Sequence, residues 1–180
     1  MSKKKSKGQA LYDELAYEKK NYFEVASKSE RKKMFAYAEG YKAFLDDAKT
    51  EREACAAAVK MAEENGFTEY HFGDALAAGD KKYFVNRGKS VVVFRVGSKD
   101  LEKHGMRIIA SHIDAPRIDV KQNPLYEEAG MCFLKTHYYG GIKKYQWTAI
   151  PLALHGVVVL KDGTKVELRV GEDPKDPVFY

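Results

Sequence analysis

Residues 108–121 read IIASHIDAPRIDVK, and the interpretation of this stretch decides how the rest of the chain is understood. The apolar run Ile108-Ile109-Ala110, bounded by Arg107 and Ser111, predicts a short, largely buried strand over residues 107–112, stopped soon afterwards by Pro116. Residues two apart in an extended chain project to one face, so His112 and Asp114 are expected to emerge together where the strand ends. A neutral imidazole can give one nitrogen lone pair to a metal while a carboxylate holds the other ring N–H, which fixes the tautomer and makes the ligand more basic. The competing structural reading makes His112 a core histidine and Asp114 the cap of the turn before Pro116.

Upstream, residues 11–24, 29–47 and 51–65 read as helices. In the second, Ser29 is the expected cap, and Met34, Phe35, Ala38, Tyr41, Phe44 and Leu45 recur at the three-and-four spacing of a buried stripe. In the third, Ala54, Ala58, Val59, Met61 and Ala62 are expected inward, with Asn65-Gly66 as the stop. From Phe67 the pattern turns to strands: residues 67–72 alternate, and residues 82–86 and 90–96 flank Arg87-Gly88-Lys89 as a hairpin. After Pro124, residues 131–134, 147–154, 156–160 and 166–170 are strand-like, the last two joined by Asp162-Gly163, a strong hairpin signal. Residues 122–130 read as a domain-boundary loop. Of the other histidines, His71 is expected at a sheet edge, His104 in a solvated loop, and His137 and His155 in structural positions.

A chain of 180 residues suffices for one sizeable core or for one domain and part of a second. No apolar run approaches the roughly 20 residues that span a bilayer, and the Lys3–Lys7 run is followed by polar residues where a secretory signal would be apolar. Cys55 and Cys132 lie far apart in unrelated patterns, as expected for reduced thiols in a cytoplasmic protein. The formal charge of +5 is terminal: residues 1–50 hold 12 Lys and Arg against 8 Asp and Glu. Those lysines form no face interleaved with aromatics, so a solvated tail is expected and neither nucleic acid nor membrane is a predicted partner.

The string SHIDAPR (residues 111–117), followed by Val120-Lys121, Tyr139-Gly140-Gly141 and Trp147, resembles the aspartyl aminopeptidase-like zinc metallopeptidases, family eighteen. Their pattern reads roughly His-Thr-Asp-Ser-Pro, a strand ending in Lys, then Tyr-Gly-Gly-Gly and a Trp. Upstream, Gly66-Phe67, Lys82 to Arg87, Phe94 and Val96-Gly97 are similar to the family's turn, hairpin and strand, and Asp173-Pro174 with residues 176–179 resemble a later segment. The likeness covers residues 41–180. It implies an α/β fold, in which N-terminal helices and the mixed sheet of a catalytic domain (residues 1–122) precede the start of an inserted β-rich oligomerisation domain (residues 123–180). It also implies a dinuclear site with two zinc ions, cobalt or manganese being possible, that removes the N-terminal residue from peptide substrates within a homo-oligomer. His112 corresponds to the first metal ligand and Asp114 to the catalytic-site carboxylate that orients it. The remaining ligands and the general base come later in the family pattern, so this portion alone is expected to be inactive.

Two departures bear on specificity. Ala48-Lys49-Thr50-Glu51 stands where the family commonly has Ser-Pro-Thr-Pro, and Trp147-Thr148-Ala149-Ile150-Pro151 where it has Trp and then Asp-Arg-Asp. "Aspartyl" is therefore read as a family label. The alternative is a non-catalytic homologue that serves as an assembly or interaction module. An acyl-transfer hydrolase built on Ser111, His112 and Asp114 is the poorest reading, because three near-adjacent residues on a strand cannot converge as nucleophile, base and orienter.

Overall fold

The structure is a computed structural model that describes residues 6–17 and 19–180. Lys3, Lys4 and Lys5 of the expected basic tail, and Glu18 within the first expected helix, lie outside the described residues. Two compact units divide the chain, Met1–Ala43 and Phe44–Tyr180.

In the first unit the single helix expected over residues 11–24 is replaced by two short ones, α1 (Lys7–Leu15) and α2 (Tyr22–Val25). Each begins at its own side-chain cap. Ser6 accepts from the Gln9 amide and Asn21 from the Phe23 amide, satisfying donors that a helix start leaves open. The long helix α3 (Lys28–Asp47) starts earlier than expected. Ser27 accepts from the Glu30 amide while the Glu30 carboxylate returns to the Ser27 amide at 2.8 Å, a reciprocal box that displaces Ser29 as the cap. The stripe expected to be buried on α3 is not: Phe35 is 61% and Tyr41 54% exposed, and within the first unit α2 meets it only through Phe23, edge-on to Phe35 at 6.2 Å.

The second unit begins with α4 (Glu51–Glu64), whose start is a full capping box between Thr50 and Glu53. Ala54 and Ala62 are buried as their spacing predicts, and Cys55 is buried beside them; Met61 is instead half exposed. Burial pushes the Cys55 thiol above its ordinary pKa, and it is one of two free cysteines. This helix packs on a three-stranded sheet in the order β1 (Thr68–Glu69), β2 (Lys81–Asn86), β3 (Ser90–Arg95). β1 runs parallel to β2, and β2 pairs antiparallel with β3 as the hairpin pattern predicts. Tyr83 on β2 is buried and donates to Glu63 of α4 at 2.7 Å, tying helix to sheet and pushing the phenol up to about 12.

A short helix, α5 (Leu101–His104), leads into residues 105–116, which carry no regular structure. The buried strand expected over residues 107–112 is therefore absent: Ile108 is 74% and Ile109 100% exposed. A strand needs a partner for its backbone groups, and no described strand pairs with this segment. A long antiparallel hairpin follows, β4 (Arg117–Glu128) with β5 (Met131–Tyr139). The expected boundary loop at residues 122–130 is the distal part of this hairpin, closed by Ala129 and Gly130 at φ 53° and 73°. Both turn positions are left-handed, the geometry a tight hairpin requires. Register shifts between Val120, which faces Thr136, and Leu125, which faces Leu134.

Trp147 to Leu154 is not a strand either. Trp147 ends the helical turn α6 (Lys144–Trp147), and pairing resumes with β6 (Leu154–Val159) and β7 (Lys165–Val170), joined as expected at Asp162-Gly163. Asp162 accepts from the Thr164 amide at 2.9 Å within that turn. Beyond β7, Gly171 has φ +103°, and a Cβ there would lie 3.0 Å from the Ala153 Cα and 3.2 Å from the Leu152 carbonyl oxygen. Both backbone conformation and space exclude a side chain. Gly171→Ala is expected to cost about 1–3 kcal/mol, read as a lower urea midpoint; an unchanged midpoint would refute that close approach.

Candidate metal site

His112 and Asp114 do come together, though by a turn and not by strand alternation. His112 Nδ1 lies 2.8 Å from the backbone carbonyl oxygen of Asp114 and 3.3 Å from its carboxylate Oδ1. A carbonyl oxygen only accepts, so this contact places a proton on Nδ1, the arrangement in which a neutral imidazole has its lone pair on Nε2. The imidazole is 83% exposed, which leaves Nε2 open to a ligand. The expected carboxylate–imidazole contact is thus secondary to a carbonyl contact from the same residue.

The other oxygen of Asp114 is engaged. Tyr139, the last residue of β5, donates its hydroxyl to Asp114 Oδ2 at 2.6 Å. That hydrogen bond is the largest cause holding the Asp114 carboxyl below its usual pKa, with the nearby His112 adding to it and desolvation opposing it. The same bond pushes the Tyr139 phenol up. Tyr139 faces Arg117 across the root of the hairpin, and the guanidinium lies 4.1 Å from the centre of its ring. Arg117 donates from Nε to Asp119 at 2.7 Å and pairs through Nη2 with Glu51 in the first turn of α4 at 3.1 Å. Burial works against its charge, but Asp119 and Glu51 outweigh it and the guanidinium pKa is raised. Gly140, at φ +70°, follows directly, and a Cβ there would sit 3.5 Å from Pro116. The glycine supplies a left-handed backbone where the hairpin end meets the Asp114-Ala115-Pro116 turn.

The remaining ionisable groups are arranged otherwise. His71 is exposed, with Asp74 at 3.7 Å; His104 ends α5; His137 packs beside Tyr138. Asp176 accepts from the amides of Gly171 and Asp173, so it serves a turn. His155 is a strand residue as expected, but it has partners that sequence reasoning missed. Its Nδ1 lies 2.9 Å from Glu53 and its Nε2 2.7 Å from Glu172. Glu53 also receives Arg169 at 3.0 Å, and Glu172 receives Lys49 at 2.9 Å. No pattern in the sequence pairs residue 53 with residue 155. Among the described residues no group of three or more His, Cys, Asp or Glu stands close enough to hold a metal ion.

The family model described as Aminopeptidase I zinc metalloprotease (M18) matches residues 44–180. A probable M18 family aminopeptidase 1 from Clostridium acetobutylicum is 46% identical over 171 residues, covering 93% of this chain and 37% of the relative. Its counterpart from Thermotoga maritima is 43% identical over 92% of this chain and 36% of the relative. Among solved structures, aminopeptidase I from Borrelia burgdorferi B31 superposes with a TM-score of 0.82 at 42% identity, over 89% of this chain and 39% of that one. Aminopeptidase I from Clostridium acetobutylicum superposes with a TM-score of 0.76 at 44% identity. The chain belongs to the M18 family of aminopeptidases, whose family description is that of zinc metalloproteases, and it shares their mixed α/β fold. It spans little more than a third of the length of these relatives. No helix among the described residues is long and apolar enough to cross a membrane.

Proposed function

We propose that this chain is the N-terminal portion of a two-metal aminopeptidase that removes the first residue from peptides, with His112 giving Nε2 to one zinc ion and Asp114 orienting the ring. The observation that carries the reading is the tautomer: with Nδ1 held by the Asp114 carbonyl, the exposed Nε2 is left as a metal donor. The donor chemistry suits zinc, which takes imidazole nitrogen readily, and cobalt or manganese are further candidates. When bound, two such ions polarise the scissile carbonyl and activate a shared water. The remaining donors and the base are assigned to sequence that the relatives have and this chain does not. Residues 1–122 are assigned to the catalytic domain and residues 123–180 to the start of a β-rich oligomerisation domain, with β4 running unbroken across that division.

Surface area supports a role inside a larger body. The chain exposes 15,894 Å², whereas two separately compact bodies of these sizes would expose roughly 10,000 Å². Unpaired edges on both hairpins favour homo-oligomers, so the chain is expected to self-associate at working concentrations, and a clean monomer by light scattering would count against that. A cytoplasmic location is in keeping with the two free cysteines.

The test uses the protein at the length of its relatives. It is expected to release N-terminal residues from short peptides in a chelator-sensitive way. His112→Ala should abolish release, and Asp114→Asn should weaken zinc retention about 10–100-fold without altering the circular dichroism. Equal zinc content in Asp114→Asn and parent would sink the orienting role. Release indifferent to chelation and to His112→Ala would sink the metal reading, and no release from the metal-loaded protein would favour the non-catalytic module.

A further inference from the structure

We propose that Tyr139 is a positioning residue for Asp114, so that the proposed metal ligand is held in place by the end of the β4–β5 hairpin. The inference rests on the assignment of His112 and Asp114 above and adds a residue that no part of that assignment requires.

A carboxylate on a short side chain turns readily about its terminal torsion, which has broad, roughly two-fold minima. The backbone carbonyl of Asp114 takes His112 Nδ1 at 2.8 Å, but its carboxylate reaches the ring only through Oδ1 at 3.3 Å, a contact too long to hold the carboxylate by itself. The Tyr139 hydroxyl takes the opposite oxygen at 2.6 Å, within the short range of bonds from a hydroxyl to a charged acceptor. With Oδ2 fixed, Oδ1 stays turned toward the imidazole.

Tyr139 can act as an anchor because it is itself held on two sides. Its ring carries the Arg117 guanidinium at 4.1 Å, and that guanidinium is tied to Glu51 at the start of α4 and to Asp119 on β4. Behind it, Gly140 at φ +70° supplies a left-handed backbone beside Pro116, two residues from Asp114. Hairpin, turn and helix start therefore meet at one phenol. The sequence separation between Tyr139 and Asp114 is 25 residues, so the contact depends on hairpin register.

The experiment compares parent, Tyr139→Phe, Asp114→Asn, the double variant and His112→Ala in the protein at the length of its relatives. Zinc affinity is read by chelator competition, and the visible spectrum of the cobalt-substituted protein reports ligand geometry. Tyr139→Phe keeps the ring under Arg117 and removes only the hydroxyl. It should weaken zinc binding about tenfold and shift the cobalt spectrum, with circular dichroism and thermal midpoint unchanged. The double variant should bind zinc no more weakly than Asp114→Asn alone, since one residue acts through the other. Parent-like affinity and spectrum in Tyr139→Phe, with metal lost in His112→Ala, would overturn the role of Tyr139 and leave the site assignment standing. Multiplicative losses in the double variant would also overturn it, because they would mark Tyr139 as acting independently. Parent-like metal binding in His112→Ala would remove the site assignment, and the role of Tyr139 with it.

Discussion

Purified by itself, the 180-residue chain is expected to bind less than one tight zinc and to leave aminoacyl reporter substrates uncut, whether zinc, cobalt or manganese is added. A catalytic zinc takes about three protein ligands plus water, and a two-metal mechanism also needs a base aimed at the shared water. His112 supplies one nitrogen. The acids that follow it in the chain are placed otherwise: Asp119 accepts from Arg117, Glu127 and Glu128 sit on the distal part of β4, and Asp173 and Asp176 build a turn. Association between copies brings further histidines but few carboxylates in the right shell. Turnover that survives further purification and disappears with His112→Ala would mean that residues assigned here to structure build the catalytic set.

Glu53→Ala is expected to release the β6–β7 hairpin from α4. Glu53 serves three partners at once, the Thr50 cap, His155 and Arg169, and its side chain is only 14% exposed. Removing it leaves His155 facing Glu172 alone and opens the first turn of α4. Losing these part-buried, charge-assisted hydrogen bonds costs about 2 kcal/mol, equivalent to roughly thirtyfold faster amide exchange in β6 and β7. Protection equal to the parent's would show that the hairpin is docked by something else. The pH dependence follows from the carboxylates. Burial tends to raise the Glu53 pKa, but hydrogen bonds from His155 and Thr50 and the charges of His155 and Arg169 leave it lowered; Lys49 and His155 lower that of Glu172. A carboxylate with a depressed folded-state pKa stabilises the fold above its unfolded value and ceases to as pH falls through the folded value. Hairpin protection should therefore hold from neutral pH down to the ordinary carboxylate range and decline below it.

Local chemistry was legible and partnership was not. The Asn65-Gly66 stop of α4, the Arg87-Gly88 hairpin and the Asp162-Gly163 turn are written in contiguous residues, and each formed where its residues stand. Ile108-Ile109-Ala110 has the composition of a buried strand, yet burial depends on neighbours that composition does not name, and here the segment is exposed. The stripe on α3 stays largely exposed too, with Phe23 of α2 meeting it only edge-on at Phe35. Residues 122–130 read as a loop because turn residues such as Pro124 and Gly130 stand there, but β4 continues to Glu128, with residues 121–124 forming an irregularity between the paired stretches. At the site, His112 and Asp114 stood out through spacing and family likeness. Tyr139 entered only as part of a glycine-containing string, because its bond to Asp114 is created by register between β4 and β5.

The register shift in that hairpin sets a rule for its length. Between Val120 and Leu125 the chain takes five steps on β4 while β5 takes two, from Thr136 to Leu134. Side chains alternate faces at every step, so this odd difference exchanges the parity of β4: Arg117 and Asp119 share a face with Tyr139, and beyond the shift it is Tyr126, stacked on Phe133, that returns to that face. The change of parity is absorbed within positions 121–124, so a residue more or less there can be taken up by the bulge with Tyr126 kept on Phe133, whereas the paired stretches on either side of it have no such freedom.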